Sequence, residues 1–172
     1  SRLLGMTRHG GRPANGKGAG VVFAYEIATG IYSVLHTFVE NDPTDGATND
    51  HGFLTLVDGV GYGLTELGGA SQQGTLFRIG EEGSGFALLH SFGDGLGDGQ
   101  QPYGSLVPVG EFLYGTTTEG GATGDGTIFR YRPRDGLYQV LASFDRTTTG
   151  AFPEDNVVPS EDGAILFGLT QA

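Results

Sequence analysis

The 172-residue chain has no cysteine, no tryptophan and a single methionine. Disulfides and thiolate metal sites are thereby excluded, whatever the compartment. Proline is scarce, at 7 residues, and basic side chains are few: 9 Lys and Arg stand against 20 Asp and Glu, a formal charge of −11. Phosphate backbones are gripped by clustered Lys and Arg, so a nucleic acid is not an expected partner, and an anionic membrane surface is disfavoured by the same charge. No apolar run approaches the roughly 20 residues that cross a bilayer as a helix, so membrane insertion is not expected. A helical apolar stripe is missing throughout. So are G-x-S-x-G, Walker and HExxH strings, which leaves no standard catalytic constellation to read.

What the chain does have is glycine, 33 residues of it, placed between short runs of Val, Leu, Ile, Phe, Tyr and Thr. Glycine permits tight turns and positive φ, and the residues between suit a pleated, half-buried surface. Many short strands with frequent turns are expected.

The runs repeat. Leu4-Gly5-Met6-Thr7 returns as Tyr62-Gly63-Leu64-Thr65, Tyr114-Gly115-Thr116-Thr117 and Phe167-Gly168-Leu169-Thr170; residues 5, 63, 115 and 168 differ by 58, 52 and 53. A Gly pair follows each of the first three, then Gly20-Val21-Val22-Phe23, Gly74-Thr75-Leu76-Phe77 or Gly126-Thr127-Ile128-Phe129. Next come Leu35-His36-Thr37-Phe38, Leu89-His90-Ser91-Phe92 and Leu141-Ala142-Ser143-Phe144. A fourth run precedes each later Gly-x-Thr: Phe53 to Val57, Ser105 to Val109, and the weaker Asn156 to Pro159. Four strands in a unit of about 52 residues is the sequence form of an antiparallel β-propeller blade, against a β-solenoid or open meander as the alternative. With the four strands lettered A to D, the chain reads BCD, ABCD, ABCD, AB. One repeat domain spans 1–172, with units at 3–60, 61–111 and 112–163 and a partial fourth at 164–172. Such an open arc leaves sheet edges unpaired, so either residues outside the segment complete a ring or copies self-associate through those edges.

These strings resemble the GloVer tandem repeats of bacterial secreted or surface-anchored proteins, a kelch-like pattern of Leu-Tyr-Gly-Thr-Thr, Gly-Gly, Gly-Thr-x-Phe and Leu-His-Ser-Phe. Leu113 to Thr117, Gly120-Gly121, Gly126 to Phe129 and Leu89 to Phe92 are its best instances, and the resemblance covers nearly the whole chain. It implies an extracellular or cell-surface bacterial protein without catalysis, and it supplies no catalytic residues. The departures are the longer, basic loop after Gly11 and Ala142, where the motif has His.

Binding residues are sought where units differ, in the longer B to C and D to A connections, because a rigid scaffold presents variable side chains there. The first such loop carries Arg8, His9, Arg12 and Lys17, beside Glu66 and Glu119 in the later copies. That basic loop suits an anion or uronic acid. Most of the acidic residues fall in the same connections. Among them Asp42, Asp45, Asp50, Asp94 and Asp98 offer hard oxygens for calcium, although no loop has the DxDxDG form, and Asp-Gly turns with solvated charge are the plainer reading. No other cofactor is expected. His36 and His90, repeated on equivalent strands, read as structural hydrogen-bonding groups, not as acid or base. The chain is therefore read as a noncatalytic binding or display scaffold for carbohydrate or protein. The alternatives are a propeller lyase or hydrolase of polysaccharides and a self-assembling structural protein.

Overall fold

The computed structural model describes residues 1–11, 18–49 and 51–171. It is all β. The first sheet joins β1 (Arg2–Met6), β2 (Val21–Glu26) and β3 (Tyr32–Thr37) in that order. After β4 (Gly46–Ala47) the second sheet follows, made of β5 (Thr55–Val57), β6 (Val60–Thr65), β8 (Thr75–Gly80) and β9 (Ala87–Ser91), with β7 (Leu67–Gly68) lying between β6 and β8 in sequence. β10 (Gly99–Val109), β11 (Phe112–Gly120), β12 (Thr127–Arg132) and β13 (Leu137–Ser143) form the third, and β14 (Val158–Pro159) pairs β15 (Leu166–Phe167). Every strand pair is antiparallel. Sheets of three, four, four and two strands follow one another along the chain as the repeat predicts. They stand side by side as an arc of propeller blades, with β5, β10 and β14 neighbouring one another across successive sheets.

The spacing of Gly and Phe has a direct cause. Gly5, Gly63 and Gly115 lie opposite Phe23, Phe77 and Phe129 across the B–C pairs. A Cβ on those glycines would stand 2.6, 2.5 and 2.5 Å from the ring's Cζ, so each Phe lies flat over bare backbone and no larger residue fits without moving it. Beside them, Thr65 and Thr75 share a hydrogen bond of 2.7 Å and Thr117 and Thr127 one of 2.8 Å, which satisfies four fully buried hydroxyls inside the sheets. The apolar residues then divide by strand alternation. Leu64, Leu76 and Phe92 of the second sheet bury against Leu113, Phe129 and Tyr131 of the third, while Phe77 and Ile79 turn the other way onto Val22 and Phe38.

Two features go beyond the sequence reading. The sheets reach further into the D to A connection than expected, because Gly46 pairs Gly68 and Gly99 pairs Gly120. Between the second and third sheets about half of that connection is therefore strand, β10 beginning six residues ahead of Ser105, whereas the first such connection contributes only Gly46–Ala47. In addition, each C–D pair carries a bulge at the same place, between Val22 and Phe23, Leu76 and Phe77, and Ile128 and Phe129. The extra residue re-aims the side chains at the strand end, where His36, His90 and Ala142 sit.

Candidate functional site

At the bulge, His36 Nε2 lies 3.0 and 3.2 Å from the two carboxylate oxygens of Asp45. His90 Nε2 lies 3.0 Å from Asp98 Oδ2. A carboxylate only accepts, so Nε2 carries the proton in both. The amides of Val39 and Gly46 donate to Asp45, and those of Gly93 and Gly99 to Asp98. Each Asp thus ties strand D to the start of the following sheet. The next sheet then covers the imidazole: His36 stacks on Phe86 and His90 on Tyr138, each with centroids 3.6 Å apart. Tyr138 adds a hydroxyl that donates to Asp98 Oδ1 at 2.7 Å. Burial by itself would raise the Asp98 pKa, but the bonds from His90, Tyr138 and Gly99 outweigh it and hold the carboxyl below its ordinary range. Burial, reinforced by Asp98, pushes the Tyr138 phenol far up.

The third unit lacks both members. Thr48, Gln101 and Phe152 are equivalent, since each has positive φ and donates its amide to a carbonyl of the preceding loop, at Ala19, Gln73 and Asp125. Three residues earlier stand Asp45, Asp98 and Thr149, while Ala142 stands where the His would be. A different pair closes this unit: Asp125 accepts from Arg146 Nε at 2.9 Å and from the Arg146 amide at 3.0 Å. Those bonds hold the Asp125 carboxyl below its ordinary range.

Successive innermost strands are also stitched. Phe53 N–H donates to Ser105 Oγ at 2.8 Å, and Ser105 N–H to Asn156 Oδ1 at 2.5 Å. Two residues ahead of these positions lie His51, Tyr103 and Glu154, one per unit, chemically unlike one another. His51 and Tyr103 sit with ring centroids 4.9 Å apart.

The family model described as the Gloeobacter/Verrucomicrobia repeat matches residues 1–172. The chain belongs to that repeat family. It is the GloVer-type repeat that the Gly-x-Thr and Gly-Thr-x-Phe strings resemble. Among solved structures, TolB from Acinetobacter baumannii is similar, with a TM-score of 0.55 at 15% identity over 89% of this chain and 32% of TolB. The chain thus spans about a third of that protein, and at this identity the likeness speaks to the fold, a β-propeller arc. No curated protein matches the sequence.

On the repeat frame, the residues singled out for binding come from successive units. Arg8 and His9 are exposed just after β1, Glu66 follows β6 directly, and Glu119 is exposed near the end of β11, so they belong to three successive sheets. Arg12 and Lys17 lie outside the described residues, as does Asp50. The carboxylates weighed for calcium have other work. Asp45 and Asp98 hold His36 and His90, Asp42 accepts from the hydroxyl and amide of Thr44, and Asp94 accepts from Ser71. Among the described residues, no three His, Asp or Glu side chains gather as a metal site would require. Reading Asp45 and Asp98 as loop carboxylates misses that β4 and the start of β10 draw them into the sheet end. The signal was present in the sequence: the unit without the histidine is also the unit without the aspartate.

Proposed function

We propose that this chain is the noncatalytic binding portion of an extracellular or surface-displayed bacterial propeller, and that its ligand is a carbohydrate. One observation carries the reading. Positions that repeat between units are spent on the frame, as the Gly–Phe, Thr–Thr and His–Asp pairs, whereas the equivalent positions His51, Tyr103 and Glu154 differ in each unit. A half-buried Tyr beside an exposed imidazole offers a ring face for a sugar and a hydrogen bond to its hydroxyls, and the exposed Glu154 offers a carboxylate in the next unit. The family's printed description supports the bacterial setting.

A glycan array of neutral and acidic oligosaccharides tests this. Retention that falls about tenfold or more in Tyr103→Ala, with unchanged circular dichroism, is the expected result. Polysaccharide cleavage that vanishes in Arg8→Ala or His9→Ala would replace this reading with the enzymatic one. Retention by a protein partner, with silence across the array, would replace the carbohydrate alone.

A further inference from the structure

Seven Asp-Gly pairs occur in the sequence, at Asp45, Asp58, Asp94, Asp98, Asp125, Asp135 and Asp162. In such a pair the glycine nitrogen can attack the Cγ of the aspartic acid before it, because no side chain on the glycine stands in the way. The five-membered ring that closes is a succinimide, and a water leaves. Hydrolysis at one of its carbonyls restores aspartate. At the other it gives isoaspartate, in which the main chain runs through the former side-chain carbonyl and is one methylene longer. The reacting groups are the same at all seven sites, so the fold decides which pair reaches the geometry of attack.

Five pairs are held away from it. The amides of Gly46 and Gly99 donate to the carboxylates of Asp45 and Asp98 at 2.8 Å and lie in the strand pairing, while His36 and His90 fix the same carboxylates. The amides of Gly126, Gly136 and Gly163 donate to the carbonyls of Gly120, Arg132 and Ser160. Bonds from Arg146, Arg132 and Ser160 also hold the carboxyls of Asp125, Asp135 and Asp162 below their ordinary range. A carboxyl kept ionised is a poor electrophile, since no water can leave from it. The sixth pair, Asp58-Gly59, is the two-residue turn between the paired Val57 and Val60, with φ of 50° and 76°. Swinging the Gly59 amide round to the Asp58 side chain would undo that turn and the pairing it closes.

Asp94 is differently placed. Its loop is closed at the base, where the Gly93 amide and His90 both bond Asp98 Oδ2. Above that base, the amides of Asp94, Gly95, Leu96 and Gly97 have no partner among the described residues. No atom stands within 4 Å of the place a Cβ would take on Gly95 or Gly97, and Leu96 is fully exposed. The loop overhangs an open cavity of about 420 Å³ beside Tyr138 and Val140. Packing therefore does not resist rotation here. The Asp94 carboxylate accepts from Ser71 Oγ at 2.6 Å, a tie to the neighbouring loop.

We propose that Asp94 is a self-modification site: its carboxyl condenses with the Gly95 amide, and isoaspartate accumulates there while the other six pairs stay intact. The product keeps the fold, because the Asp98 clasp closes the loop beneath it. It gives up the tie to Ser71 and leaves a free α-carboxylate on the surface. That carboxylate is the substrate of a protein-isoaspartate methyltransferase, which esterifies it with the methyl group of S-adenosylmethionine and releases S-adenosylhomocysteine. Loss of methanol from the ester then reforms the succinimide, so the site is open to repair.

Prolonged incubation of the folded chain at mildly acidic pH and physiological temperature, followed by proteolysis and electron-transfer fragmentation, locates isoaspartate residue by residue. At Asp94 it is expected to exceed that at each of the other six by about tenfold or more. In denaturant the preference should disappear, because the same glycine follows every one of the seven. Gly95→Ala, for which the structure has room, should slow the reaction at Asp94 by about tenfold or more with unchanged circular dichroism. Asn15-Gly16, outside the described residues, can also yield isoaspartate by deamidation, but that changes the mass of its peptide and isomerisation of Asp94 does not. Isoaspartate spread evenly over the seven sites of the folded chain would overturn the inference. So would its appearance first at Asp58, or its absence at Asp94 under conditions in which the denatured chain forms it.

Discussion

In the second unit His90 reaches Asp98, and Asp98 is reached in turn by Tyr138 of the next sheet; in the third, Ala142 and Thr149 hold the two positions and Arg146 closes on Asp125 instead. The difference is one of burial as much as of chemistry. The His90 clasp lies between two sheets, under a tyrosine ring. In the third unit the carboxylate of Asp125 is buried as well, but the Arg146 side chain that pairs with it is 59% exposed, so solvent screens that pair from the cation's side. A buried carboxylate is tolerable only with its bonds complete, which explains why histidine and aspartate are present together twice and absent together once.

Four measurements sharpen this contrast. The largest effect is expected from Phe92→Ala, which empties a packed site between sheets and should cost about 3–5 kcal/mol in denaturant unfolding. Phe144→Ala, at the end of the arc, should cost clearly less. Next is a double-mutant cycle in the second unit. His90→Ala alone strands the Asp98 carboxylate, so adding Asp98→Thr, the third unit's own combination, should restore part of the loss, with a coupling of about 1–3 kcal/mol. A cycle that closes additively would show that the pair is not a clasp.

The third measurement is pH. The Asp98 carboxyl is held below its unfolded value, so its contribution is complete above that value, near pH 4, and is lost as the pH falls through the folded one. Tm should drop less between about pH 5 and pH 2 in Asp98→Asn than in the parent chain. Tyr138 has the opposite sign. Its phenol is raised, so its contribution is complete below about pH 10 and falls above it, and Tyr138→Phe should flatten the alkaline limb. The smallest change is expected from Asp125→Asn in the third unit, a lowering of Tm less than that of Asp98→Asn at neutral pH.

The architecture was legible in the sequence because its determinants are local or repeat at fixed spacing. Gly63 and Phe77 lie on adjacent strands joined by one loop, and each unit shows the same pair, so strand order and alternation could be read directly. The clasp was only half legible. His36 and His90 stand out as repeated residues, but Asp45 and Asp98 look like ordinary Asp-Gly turn formers, and nothing in that dipeptide says that the loop re-enters the sheet. Tyr138 lies 40 residues from Asp98, on the outermost strand of the sheet whose first strand Asp98 leads into, beyond any spacing rule. The basic loop was attractive because it differed from its neighbours. The position that varies within a fixed geometry, His51, Tyr103 and Glu154, emerges only once hydrogen bonding and strand pairing align the units.

The amino-acid sequence alone determined that this protein is all β, built in units with the strand order A to D, and strongly acidic. Periodicity of 2, turn chemistry and charge are properties of neighbouring residues and survive without a fold. Which carboxylates are buried, which rings meet across sheets, and which faces stay open were decided by tertiary structure. Those depend on how far each bulged strand tilts its last side chains, and on which sheet stands beside it to exclude water.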